Sequence, residues 1–187
     1  MKIFRSLIFV LAGLSLYAFD LEIPEGWFQG GSKIKSYEMG IDIGAGPDGK
    51  NTATIKSIDK KIDGFGTLMQ KSKPDKYFGK KIRMTGLMKS KDVENWAGFW
   101  LRVDQENLNK PIAFDNMSDR PIKGDTDWLK YEIVLDVPDN ASNISFGALL
   151  HGTGQIWFDN LNFEIVDNSV PSTGNVKDKP TNLNFDK

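Results

Sequence analysis

The segment WAGFWLRVD at 96–104 holds the densest set of side chains able to recognise a polar ligand. Period-two alternation, the geometry of a strand, sorts it onto two faces. Ala97, Phe99, Leu101 and Val103 form an apolar face suited to a core. The other face carries Trp96, Gly98, Trp100, Arg102 and Asp104: two indoles, a gap, a cation and a carboxylate. Indole can lie on the C–H face of a sugar ring while arginine and aspartate bond its hydroxyls through charge-assisted contacts. Gln70, which closes FGTLMQ at 65–70, adds an amide to this ligand-binding set if its strand is a neighbour. The same residue types also suit a covered face, in which a second sheet or a long loop packs over both tryptophans and Arg102 pairs with Asp104 at the rim.

A second dense segment, AFDNMSDRPI at 113–122, brings Asp115, Asn116, Asp119 and Arg120 together. These groups can bond a polyol or a cation, but a turn held by its own Asx bonds and an Asp–Arg pair accounts for them better. Signals for catalysis are sparse. His151 is the only histidine, and no Gly-x-Ser-x-Gly elbow is present. Glycoside hydrolysis needs two acids at a set separation, for which Asp115 with Asp119, or Asp125 with Asp127, are the available pairs. Acids in turn-rich loops are usually solvated, so no catalytic residue is assigned and the chain reads as a non-enzyme. Asp159, beside Asn160 in the last apolar run, is the candidate metal ligand for a structural Ca2+, without EF-hand spacing around it. No other cofactor is implied. The sequons at Asn116, Asn140 and Asn143 matter only in a eukaryotic secretory pathway.

The elements that must position these residues are strands. Short apolar runs alternate with Gly, Pro, Asn and Asp clusters, and no helix-length stretch has a 3.6-residue period. Strands are expected at 37–43, 53–57, 66–70, 82–89, 97–104, 112–117, 131–137, 144–150 and 155–166, with one helical turn at 74–78. That many strands need two layers, an all-β sandwich of two antiparallel sheets.

The domain spans 19–166. Before it, Lys2 and Arg5 precede an apolar run from Leu7 to Leu16, and Ala18 closes the segment ahead of Asp20, the layout of a signal peptide over 1–18. The run is too short for an ordinary membrane helix, and no cysteine follows it to accept a lipid. The expected destination is secreted or periplasmic. Without cysteine, disulfides contribute nothing, so a packed core must carry stability. The formal charge of 24 − 25 = −1 becomes 22 − 25 = −3 once Lys2 and Arg5 are removed. A weakly acidic surface argues against nucleic acid. Residues 167–187 read as a linker or disordered tail, although Leu183 and Phe185 alternate with polar residues as in a short strand that could dock on a sheet edge.

Several segments carry a resemblance. GWFQGGS at 26–32, YEMGID at 37–42, FGTLMQ at 65–70, WAGFWLRVD at 96–104, AFDNM at 113–117, DWLKYEIVLDVP at 127–138 and FGALLHGTGQIWFD at 146–159 resemble a bacterial jelly-roll family. This family is galactose-binding-like in fold and similar in layout to carbohydrate-binding modules; its members are often labelled AraC-type transcriptional regulators because some carry a helix-turn-helix. The resemblance implies a jelly roll. It implies a ligand only weakly, since a fold does not assign a function. The expected function is an exported, non-catalytic binding module for carbohydrate or a similar polar ligand. The alternatives are a protein-interaction module with a partner in the cell envelope, or a hydrolase using loop carboxylates.

Overall fold

The computed structural model describes residues 21–174. The leader at 1–18 and the 182–186 segment lie outside them. Within that range the chain forms β1 (Phe28–Gly31), β2 (Tyr37–Asp42), β3 (Thr52–Ser57), β4 (Phe65–Ser72), β5 (Lys80–Gln105), β6 (Ala113–Asp115), β7 (Ile122–Val137), β8 (Ala141–His151) and β9 (Gln155–Val166). The helical turn expected at 74–78 is a 3-10 turn at Asp75–Tyr77, and another occupies Ile34–Ser36. Among the described residues no helix is long and apolar enough to cross a membrane.

All strand pairs are antiparallel. One sheet runs β1-β4-β8-β5 with β6 on the far side of β5, and the other runs β7-β5-β9-β3-β2. β5 belongs to both. Its first half pairs with β9 and β7, while its second half, from Trp96, pairs with β8 and β6. The two strands expected at 82–89 and 97–104 are therefore one. The chain changes layers through bulges between Met88 and Ala97, where Asp92 takes a φ of 53°. Asp125 Oδ1 accepts from the Asp92 N–H at 2.6 Å, and Ser90 Oγ donates to the Gly124 carbonyl at 2.9 Å, so the polar bend stays tied to β7.

Between the sheets, Leu68, Phe99, Leu101 and Ile144 of one layer meet Met39, Ile55, Met84 and Phe158 of the other, all fully buried. Aromatic edges bridge the layers: Phe99 packs on Phe158 at 6.1 Å and Phe146 on Phe163 at 4.8 Å between centroids. The architecture is an all-β jelly-roll sandwich. The strand β1 had no sequence signal, because its four residues, FQGG, include two glycines and border the sheet.

Residues beyond the expected boundary at 166 bond to the sandwich. Residues 167–174, expected to begin a linker or disordered tail, pack along β7. Thr173 N–H donates to the Val134 carbonyl at 2.8 Å, and Ser172 Oγ to Asp136 at 2.9 Å. The Lys81 ammonium, on a residue 6% exposed, donates to the Val170 carbonyl at 2.9 Å and the Asn168 carbonyl at 3.4 Å.

Candidate functional site

Strand register decides which side chains share the outer face of the β4-β8-β5-β6 sheet. In successive rows across it stand Phe65, His151 and Trp96; then Thr67, Leu149 and Gly98; then Met69, Gly147 and Trp100; then Lys71, Ser145, Arg102 and Phe114. These rows, with Asp104 and Asn116, border a groove of about 520 Å3. That volume is in the range of small-ligand sites.

The groove floor is an indole. Trp100 is 8% exposed, and its Nε1–H donates to Thr67 Oγ1 at 2.8 Å, which in turn donates to the Ala148 carbonyl at 2.6 Å. This reach from β5 to β4 passes over β8, where Gly147 presents no side chain. At one end, Trp96 stacks on His151 with centroids 6.3 Å apart and planes 15° off parallel, and Asn95 Nδ2 lies 3.1 Å from His151 Nδ1. At the other end, Arg102 Nε donates to Asp104 Oδ1 at 2.6 Å, and Asn143 Nδ2 donates to Ser145 Oγ at 2.7 Å and Asp104 Oδ2 at 3.4 Å. Phe114, at 41% exposure, forms the rim beside Arg102.

The structure brings Trp96, Trp100, Arg102 and Asp104 together along one wall. The face is open as a groove, with the Arg102 side chain 38% exposed, yet Trp100 is mostly enclosed and Arg102 does pair with Asp104. Gln70 is a correction. It shares the inward parity of Gly66 and Leu68, and its amide lies beside Gly26, whereas Thr67, Met69 and Lys71 face the groove. Sequence reasoning missed Phe65, Lys71, Phe114, Ser145 and the placement of His151. Alternation along β4 and β8 sorts these residues, but only the register shows that they stand abreast of β5.

The remaining candidates are structural. Asp115 is buried; its carboxylate accepts from Arg120 Nη2 at 2.6 Å, Thr173 Oγ1 at 2.5 Å and the Met117 N–H at 2.8 Å. Asp119 takes the other end of Arg120 at 2.8 Å. Asp125 caps the β5 bend, and Asp127 accepts from the Trp128 N–H. Asp159, the expected Ca2+ ligand, lies at a bulge. Its Oδ1 accepts from the Asn160 N–H at 2.6 Å where the β5–β9 register slips and Asn160 takes a φ of 53°, so it stabilises a β-bulge. Among the described residues, no three His, Cys, Asp or Glu side chains gather as a metal site.

No protein-family profile matches the chain. It is 45% identical over 169 residues to a Bacillus subtilis protein named as the uncharacterised HTH-type transcriptional regulator YbfP, covering 87% of this chain and 57% of that protein. The chain thus spans little more than half of that curated relative. Among solved structures, it superposes on the CBM22-1 xylan-binding domain of Paenibacillus barcinonensis Xyn10C with a TM-score of 0.55 at 11% identity, over 79% of this chain and 90% of that one. The CBM22-1–GH10 modules of Clostridium thermocellum xylanase Xyn10B, complexed with xylohexaose, give a TM-score of 0.56 at 15% identity, over 83% of this chain and 29% of that one. Neither of these neighbours bears the galactose-binding-like name implied by the resemblance. What the chain shares with them is the jelly-roll fold of carbohydrate-binding modules.

Proposed function

We propose that this protein is a non-catalytic binding module that takes a carbohydrate chain along the groove of its outer sheet face. One observation carries the reading: the register lines up an aromatic end, an indole floor and an Arg–Asp end in a single open groove. Flat apolar surfaces there offer stacking to sugar rings, and the charged end offers hydrogen bonds to hydroxyls. The fold shared with carbohydrate-binding modules supports it. The placement of the acids supports the non-catalytic reading. Among the described residues Asp104 is the one carboxylate lining the groove, and glycoside hydrolysis uses two. Asp115 and Asp119 are held by Arg120, away from that duty.

The test is calorimetric titration, with glycans selected on an array, of the wild type and of folded Trp96→Ala and Trp100→Ala proteins. Trp96→Ala loses a stacking surface and is expected to bind about tenfold more weakly. Trp100→Ala removes the floor and costs affinity as well as stability. A folded Trp96→Ala protein with undiminished affinity would sink this assignment. Export is part of the proposal, supported by the charged and apolar leader. Amino-terminal sequencing of the mature protein is expected to begin at Phe19, and a chain retaining Met1 in the cytoplasm overturns export.

A further inference from the structure

We infer that the natural ligand of this groove is acidic, an oligosaccharide bearing a uronate-type carboxylate that Arg102 and Lys71 receive together. The inference rests on the groove being a carbohydrate site and adds the ligand's charge. Lys71, Ser145 and Arg102 occupy one row on adjacent strands, so the two cationic residues stand about 10 Å apart at the backbone with a hydroxyl between them. Ser145 is 3% exposed and fixed by Asn143, which makes this row a built feature rather than a chance meeting of surface side chains.

The guanidinium is oriented but not used up. Asp104 engages Nε alone, and among the described residues no protein group accepts from Nη1 or Nη2. That end-on fork matches a carboxylate in a bidentate geometry. Lys71 lines the groove and meets no carboxylate among the described residues; its ammonium sits 5.8 Å from the ring centroid of Phe28, on the neighbouring β1. The groove lining therefore carries two cations against the single Asp104, in a chain whose formal charge is −1. A neutral sugar entering this end returns hydroxyl hydrogen bonds but no opposite charge for Lys71, whereas an acidic one supplies both. The aromatic row of Phe65, His151 and Trp96 lies six residues away along the strands, about 20 Å, leaving the floor between for uncharged rings.

The experiment titrates the full chain with uronate-containing oligosaccharides and with the same oligosaccharides after carboxyl reduction, at low and high salt. The acidic forms are expected to bind at least about tenfold more tightly, with the advantage shrinking as salt rises. Lys71→Met and Arg102→Met should each narrow it, and in the double variant the acidic and reduced forms should bind equally. Lys71→Met leaves the Arg102–Asp104 pair intact, so it carries the test if Arg102→Met fails to fold. Equal affinity for acidic and reduced forms overturns this inference and leaves the carbohydrate site standing. Failure of every acidic and neutral sugar to bind overturns both.

Discussion

Tyr37 ties the start of β2 to two turns on the other sheet: its hydroxyl donates to the Gly152 carbonyl at 2.8 Å and the Gly64 carbonyl at 3.1 Å. Burial pushes that hydroxyl up from 10 to about 12. The folded chain thus keeps a proton that the unfolded chain releases above about pH 10, and stability falls as pH rises from 10 to 12. Two pKa units correspond to a stabilisation on the order of 3 kcal/mol, present in full below pH 10 and lost above 12. Tyr37→Phe is expected to be about 1–2 kcal/mol less stable at pH 7, from the lost hydrogen bonds, and to show a flatter decline between pH 10 and 12 in denaturant titrations. A wild-type decline no steeper than the variant's would contradict this. Arg120 shows the same economy of buried polar groups: burial pulls its guanidinium down, and Asp115, then Asp119, more than offset that and hold it charged. At this scale the face of Trp96, Trp100, Arg102 and Asp104 was legible, because alternation beside an apolar core face is unambiguous. Gln70 was not, since Met69 and Leu68 make both faces of β4 apolar and parity alone leaves the inward one undecided.

Elements decide how the groove is floored. Gly147 lies on β8 between Met69 of β4 and Trp100 of β5, and a Cβ there would stand 2.3 Å from the Leu68 carbonyl oxygen. The obstruction is backbone, so no rotamer change relieves it. Gly147→Ala is expected to cost on the order of 1–3 kcal/mol in urea unfolding and to weaken ligand binding by displacing the Trp100 floor. A variant with wild-type stability would show that β4 and β8 separate freely at this point. β5 was legible only in halves. Its middle, SKDVEN at 90–95, lacks alternation and lies between the two strands expected, yet bonds donated by Ser90 and Asp92 to Gly124 and Asp125 carry the strand through its bulges. The polar bend is what lets one strand serve both sheets.

At the scale of the molecule, the 167–174 strap is bonded to the sandwich. It supplies the carbonyl acceptors of the nearly buried Lys81 and, through Thr173, one donor to Asp115, whose strand β6 walls the groove. A chain ended after 166 should therefore be about 2–3 kcal/mol less stable than one ended after 174, a fall of roughly 5–10 °C in Tm. Identical melting curves would mean that the strap only rests on β7. By itself the sequence determined the class of the fold, the presence of two sheets and the one face worth testing, because period-two patterning and turn residues act locally. Only the tertiary structure decided that β5 is shared between sheets, that Lys71, Ser145 and Arg102 stand in one row, and that residues 167–174 bond to β7 and Lys81. Each of these depends on register between segments far apart in the chain, which no local pattern encodes.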